Sequence, residues 1–448
     1  MENTLSLRKK PLRLAKIVMP ILITQLALYM ITFFDILMTG RYDTYHLAGV
    51  TIGSSFWLPV YTGLAGILMG LTPIIAHLIG ARRKDEVKFT VQQGLYVSVV
   101  LAAIVFLIIR YGVSPILASM PLEDEVRVVA ADYLEAMSLG LFPLFAYTVL
   151  RCFFDALGAT RVSMAIILLS APLTIFTNYL LIFGNWGFPE LGGVGAGYAA
   201  AITYWLIFFV AYGVAWKNKL FNDYQLFNIW GKISFKRWKE ILFIGVPIGI
   251  SIFVETSIFS AVTLMMSNYS TAVISAHQIA LNFTSLLYMI PLSISMGATI
   301  LVGQAVGAGQ MRDAKQYSFL GVGLAIAFSF ISIAILLVFR EPIASLYTTD
   351  TKIIALATQF FIFAALFQFS DAIQAPVQGA LRGYKDVNMT FVMAIVSYWV
   401  LGLPIGYLMA TYTDLGPYGY WIGLIAGLTV GAITLTIRLI YIQKKKFA

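Results

Sequence analysis

The chain has 448 residues, 60% of them hydrophobic and only 11% charged, with a mean hydropathy of +0.85. A soluble domain carries about 25% charged residues, so the composition excludes a water-soluble globular protein and marks a polytopic membrane protein. A single cysteine, Cys152, rules out an internal disulfide, and the formal charge of +9 calls for no nucleic-acid partner if its placement explains it.

The predicted elements are twelve membrane spans, each of roughly 20 residues or more. They run over 16–39, 50–79, 91–113, 128–154, 162–184, 192–215, 241–265, 274–304, 316–339, 353–380, 388–411 and 417–440. The basic N-terminal stretch (Arg8, Lys9, Lys10, Arg13) leads straight into the first span with no small-residue cleavage site. It therefore reads as an anchor and not as a removable signal. The longest polar connection, from Lys217 to Glu240, separates six spans from six. This predicts a first lobe over 1–220, a cytoplasmic linker over 221–240 and a second lobe over 241–448. With residue 1 inside, only Arg41, Arg110, Arg127, Arg340 and Lys352 of the 30 Lys and Arg fall at outer ends. Cationic residues collect on the cytoplasmic side of membrane proteins. The surplus charge is thus a topology signal, and it predicts both termini in the cytoplasm.

The two halves repeat. An offset of 227 carries Pro20 onto Pro247, Gly70 onto Gly297, Thr72 onto Thr299, Gly80 onto Gly307 and Gly94 onto Gly321. The offset drifts to 225 at Gly158 and Gly383, and to 224 at Gly192 and Gly416. Six spans per half is an even number, so the repeats run parallel, related by a pseudo-two-fold axis along the membrane normal. That symmetry belongs to some secondary transporters. The fold class is all-α integral membrane, with two six-helix lobes.

The membrane carboxylates break the repeat. Asp35 in span one corresponds to Val262, Glu255 in span seven to Leu28, and Asp371 in span ten to Tyr147. An acid in hydrocarbon costs on the order of 3 kcal/mol on insertion scales and usually marks an ion or proton path. A packing role would tend to persist in both copies, so the asymmetry favours function. Asp35 stands 15 residues past Pro20, about 22 Å along a helix. Pro20 removes a helical hydrogen bond and is a candidate hinge, with Pro247 its equivalent. Gln25, Asn178 and Thr203 are candidates for a polar shell around Asp35. In the other half, Glu255 and Asp371 lie at depths about 6 Å apart. Two carboxylates at that separation share a proton or hold a cation, and the metal ion they would suit is Na+. Gln368, Asp371, Gln374 and Gln378 form one polar helix face at intervals of three, three and four.

Arg151 and Asp155 read as a local i,i+4 ion pair. His46, His77 and His277 lack ligand-type neighbours at helical spacing, which predicts no zinc-type site. No phosphate-cradling loop or nucleophile–base pattern is legible, so neither an ATP-driven pump nor an enzyme is expected, and no cofactor is required. Aromatic residues make up 14% of the chain, with 16 Met. In a cavity these suit flat, greasy cations.

These residues together resemble the multidrug and toxic compound extrusion (MATE) transporters, most closely their NorM-like bacterial branch. The features that carry the resemblance are Asp35 in span one and Val246-Pro247 followed by Glu255. They continue with Ala276-His277-Gln278-Ile279, Gly297-Ala298-Thr299, Gly303-Gln304 and Gly307. The last is Asp371 followed by Gln378-Gly379-Ala380-Leu381-Arg382-Gly383. The resemblance covers the chain from about Pro11 to Lys444. It implies efflux of cationic amphiphilic drugs in exchange for H+ or Na+, by alternating access, in a monomer embedded in the lipid bilayer. It links Asp35 to proton coupling and to bending at Pro20, and links Glu255 and Asp371 to cation binding. Some relatives place a further acid one turn after the position of Asn178, where this chain has Ile182. A lipid-linked saccharide flippase would want cationic residues in the cavity, whereas the membrane-depth charges read from the sequence are acids. A non-transporting sensor or scaffold remains the alternative of another class.

Overall fold

The computed structural model describes residues 9–447. Of the cations used for topology, Arg8 and the side chain of Lys446 fall outside the described residues. In hydrocarbon every backbone N–H and C=O must be satisfied within the chain, and helices do this segment by segment. Among the described residues all the regular structure is helical. The order is α1 (Lys10–Tyr42), α2 (Thr44–Met69), α3 (Leu71–Gly80), α4 (Lys84–Ala118), α5 (Asp124–Ser138), α6 (Leu141–Ala156), α7 (Thr160–Phe183), α8 (Gly193–Lys217) and the short α9 (Lys219–Asn222). It continues with α10 (Phe235–Met266), α11 (Thr271–Gly307), α12 (Met311–Val338), α13 (Arg340–Tyr347), α14 (Thr351–Gly383), α15 (Asn388–Ala394), α16 (Leu403–Tyr412) and α17 (Tyr418–Phe447). A π-helix, Ile395–Gly402, joins α15 to α16.

Eleven of these segments are long and apolar enough to cross a membrane, with α2 and α3 forming one and α15 to α16 another. The twelfth is the bent pair α5 and α6, which turns by 52° at Leu139–Gly140. The predicted continuous span over 128–154 is therefore broken, and its equivalent in the other half, α14, is an unbroken helix of 33 residues.

The chain divides into two compact units, Ile23–Gly249 and Met1–Leu22 with Ile250–Ala448. This division differs from a cut within 221–240. The boundaries fall two residues past Pro20 and two past Pro247, so each proline-bearing helix contributes its inner half to the unit formed mainly by the other half of the chain. The physical reason is a pair of equivalent close packings. In Ile23–Gly249, the inner half of α10 lies on the end of α2. A methyl group at Gly245 would meet the Ile67 carbonyl oxygen at 2.1 Å, and one at Gly70 would meet the Gly245 Cα at 2.6 Å. In the second unit, the inner half of α1 lies on α11, where a methyl group at Gly297 would meet Val18 Cγ2 at 2.6 Å. Gly70 and Gly297 are repeat partners, as are Val18 and Gly245. Small residues let helix backbones approach where the hydrophobic effect gives no drive.

Each unit also carries polar anchors. Adjacent Gln92 and Gln93 on α4 are buried. Gln92 Nε2 donates to the Leu226 carbonyl at 2.7 Å, and its Oε1 accepts from Gly231 N–H at 3.0 Å. Gln93 Nε2 donates to the Lys232 carbonyl at 2.9 Å, and its Oε1 accepts from Ser234 N–H at 2.9 Å. The expected separate linker is thus tied into the first unit by two amides. In the second unit Lys10, 2% exposed, donates to Asp313 at 2.6 Å and also to Gln316. Leu14, Ile17, Val18 and Ile21 continue that contact into the core of α11 and α14.

Removing one member of a buried ion pair leaves an uncompensated charge, at a cost of about 3–5 kcal/mol. Lys10→Met is expected to lower stability on that scale, and Lys10→Met with Asp313→Leu to restore most of it. Thermal melting of the detergent-purified variants reads both outcomes.

Candidate functional site

Each unit brings its own acids into a polar cluster. In the first, Asp35 on α1 is half-buried. Asn178 on α7, fully buried, donates Nδ2–H to Asp35 Oδ1 at 2.5 Å. Asn178 Oδ1 is buried with no hydrogen-bond partner. One turn earlier on α7, Thr174 shares a hydrogen bond of 3.0 Å with Thr203 on α8. Asn178 thus touches Asp35 directly, whereas Thr203 bonds Thr174, one turn before Asn178 on α7. Gln25 stands apart: ten residues before Asp35 on the same helix, it lies about 15 Å away. The sequence reading missed three residues here. Thr174 could have been found from its i,i+4 spacing to Asn178. Tyr133 and Tyr204, both within electrostatic reach of Asp35, carried no local signal. Ile182 is buried and apolar, so no second acid stands beside Asn178 on α7.

In the second unit, Glu255 on α10 is half-buried, and Gln378 on α14 donates Nε2–H to its Oε1 at 2.7 Å. Asp371, 6% exposed, lies within electrostatic reach of Glu255 and presents a buried Oδ2 with no partner. Gln374 donates to the Tyr398 hydroxyl at 3.3 Å, while its Oε1 is unpartnered, as is Ser397 Oγ. Both oxygens converge on Gly431 of α17, where an added methyl group would meet Gln374 Oε1 at 2.8 Å and Ser397 Oγ at 3.2 Å. Ser397 and Tyr398 stand on the π-helix, an irregularity frequent at functional sites, and one the sequence did not reveal. Gln368 is buried with Nε2 unpartnered. The predicted polar face of α14 therefore points inward along its length. The uncommitted oxygens of Asp371, Gln374 and Ser397 are the donor type that a hard cation such as Na+ takes.

Arg382, assigned from sequence to the cytoplasmic end of its span, stands in the last turn of α14 and is 7% exposed. Its charge acts on Glu255, so a cation stands within electrostatic reach of the acids of this unit. Among the described residues no ammonium or guanidinium forms an ion pair with Asp35, Glu255 or Asp371. The hydrogen bonds to the Asp35 and Glu255 carboxylates come from neutral amides. The Arg151–Asp155 pair forms at 3.5 Å as expected, with Ser163 donating to the same carboxylate at 2.8 Å.

The histidines divide. His277 is fully buried: Trp421 Nε1–H donates to its Nδ1 at 3.0 Å, and Thr263 meets its Nε2 at 3.1 Å. That assigns a neutral ring with the proton on Nε2 and makes His277 a packing residue. His46 departs from the expectation that no histidine has ligand-type neighbours. It falls together with Asp43 and Glu125. Its Nδ1 accepts from Gly193 N–H at 2.9 Å, so the neutral ring keeps its proton on Nε2, which makes that atom a hydrogen-bond donor. Asp43 Oδ1 is likewise occupied, capping the first turn of α2. The cluster holds α2 to the start of α8.

Comparison with known proteins sharpens these sites. A model of the MatE family matches residues 20–180 and 247–408. The chain belongs to the MatE family. The two matched segments begin at Pro20 and Pro247, the register of the internal repeat. Among MATE relatives, the chain is 54% identical to a probable multidrug resistance protein NorM of Halalkalibacterium halodurans, over 99% of this chain and 97% of that protein. It is 52% identical to the probable multidrug resistance protein NorM of Bacillus subtilis, over 99% and 98%. This places it in the NorM-like branch of the MATE transporters. The two-lobe MATE fold is shared with a MATE structure in the straight conformation, with a TM-score of 0.89 at 18% identity over 98% of this chain and 97% of the other. It is shared also with the eukaryotic MATE transporter AtDTX14, with a TM-score of 0.87 at 20% identity over 97% and 96%.

Trp421→Phe removes the donor to His277 Nδ1 and is expected to cost about 1–3 kcal/mol, the penalty of an unsatisfied buried polar atom. Thermal melting would show the loss, with no change in which cations stabilise the protein.

Proposed function

We propose that this MATE protein is a multidrug efflux antiporter of a bacterial plasma membrane, exporting cationic amphiphilic compounds in exchange for H+ or Na+ by alternating access. One observation carries the reading. Asp35 and Glu255 are held by amide N–H groups, and among the described residues no Lys or Arg forms an ion pair with them or with Asp371. An amide fixes the geometry of a carboxylate without neutralising it. The negative charge stays available for a proton, a sodium ion or the charged head of a drug, which compete for it. The relatives' naming as multidrug resistance proteins supports the substrate class.

In this scheme Asp35 and the Glu255–Asp371 pair take the coupling ion on the outer side and release drug there. The ion-loaded form turns inward, gives up the ion and accepts drug. The proline-bearing helices supply the moving parts, because Pro20 and Pro247 each leave one carbonyl of the preceding turn without its helical donor. Both helix halves on either side of these prolines pack into different units. Buried Arg382 lends some support to a carrier of anionic substrates, yet its single charge stands against two carboxylates, and the sum favours cations.

Ethidium accumulation in everted vesicles, with pH and Na+ gradients imposed separately, tests the reading. Asp35→Asn is expected to reduce gradient-driven accumulation by about tenfold or more, the scale of one lost contact of about 1.4 kcal/mol. Glu255→Gln is expected to do the same for the gradient that loads the second site. Undiminished pH-driven transport by Asp35→Asn would remove that residue from proton coupling. Purified wild-type protein that moves no ethidium under either gradient would overturn the antiport reading altogether.

A further inference from the structure

We propose that Arg382 sets the charge of the second-lobe site so that it accepts one monovalent cation and rejects a divalent one. The inference rests on the cation-antiport reading above. Arg382 follows Gln378 by one helical turn on α14, and residues at i and i+4 share a helix face. Gln378 is the amide that holds Glu255 Oε1 at 2.7 Å. Arg382 is 7% exposed, and its Nε is buried without a hydrogen-bond partner. A guanidinium does not lose its proton in proteins, so a permanent positive charge stands in this lobe.

The groups around it complete the count. Within its electrostatic reach stand Glu255 from α10 and Tyr288 from α11. Asp371, on α14 itself, and Tyr398, on the π-helix, lie within reach of Glu255 and belong to the same cluster through it. The two phenols are uncharged at ordinary pH. Two carboxylates against one guanidinium leave a single net negative charge. One H+, one Na+ or one ammonium head neutralises it. A divalent ion would leave an excess positive charge in a buried site, which is costly.

The separation matters as much as the count. Among the described residues Arg382 makes no ion pair with Glu255, whose Oε1 is taken by Gln378 instead. A direct Arg–Glu pair would occupy the carboxylate and close the site. Without Arg382 the site would carry two negative charges, the condition under which oxygen ligands take Ca2+. Na+ and Ca2+ are close in size and take the same ligand atoms, so charge is what remains to discriminate them.

The test is thermal melting of the detergent-purified full-length protein in NaCl or CaCl2 at constant ionic strength. Wild type is expected to show no stabilisation by millimolar Ca2+. Arg382→Gln is expected to bind Ca2+ at least about tenfold more tightly, the scale of one unit charge at close range, seen as a Ca2+-dependent rise in Tm. Arg382→Lys keeps the charge and the wild-type response. Arg382→Gln with Glu255→Gln returns the net charge to one negative and abolishes the Ca2+ effect. A folded Arg382→Gln protein with no Ca2+ response overturns the proposal. So does a wild-type Ca2+ response that Asp371→Asn removes. If Arg382→Gln is not recovered folded, Arg382→Lys decides, because a Ca2+ response in that variant counts against the charge argument and its absence supports it. Ethidium transport by wild-type liposomes is measured alongside. Its failure would sink the antiport reading while leaving the binding result to stand or fall by itself.

Discussion

A carboxylate removed from water must be given polar company without being neutralised, and this constraint shapes both units. The cost of a bare charge in hydrocarbon is several kcal/mol, and an ion pair would pay it at the expense of the charge itself. The chain solves this with amides. Asn178 holds Asp35, and Gln378 holds Glu255. Phenols stand within electrostatic reach of these acids, Tyr133 and Tyr204 in one unit and Tyr288 and Tyr398 in the other. The buried cations away from these sites follow the opposite rule. Lys10 and Arg151 are matched directly to Asp313 and Asp155, because their work is packing and a direct pair satisfies it.

The scaffold that carries the acids is a duplicated one whose copies exchange parts. The inner halves of α1 and α10 belong to the unit made mainly by the other half of the chain, and the exchange points sit two residues after the repeat-related prolines. Equivalent close packings hold each exchanged segment, Gly245 on α2 and Val18 on α11. A proline at the exchange point weakens the helix where its two halves answer to different neighbours.

Duplication of the backbone did not carry over to the chemistry. The cluster of the first unit has one acid, Asp35, and that unit has a broken α5–α6 pair and a regular α7. The cluster of the second has two acids, Glu255 and Asp371, and that unit has an unbroken α14, a π-helix and a buried arginine. The same duplicated frame thus carries two unlike acid clusters, one of a single carboxylate and one of two carboxylates with a guanidinium within electrostatic reach. In the antiport scheme proposed above, unlike clusters would let drug and coupling ion be favoured by different charge states.

The sequence by itself determined the class, the number of spans, the repeat and the three acids. These follow from hydropathy, from a drifting but continuous register, and from the rarity of charge in lipid, all of which are properties of the chain read in one dimension. It also placed Asn178 and the inward face of α14 correctly, because period and polarity suffice for that. Tertiary structure alone decided the rest. Gln92 and Gln93 became anchors of the linker only when the linker folded back on α4. The exchange at Pro20 and Pro247 depends on which helix a small-residue face meets, and that is a pairing between distant segments. Arg382 looked like an interfacial cation because linear position gives depth along a helix and says nothing of which side chain the neighbouring helix presents. Its electrostatic reach to Glu255 spans 127 residues of sequence and is visible only in the folded structure.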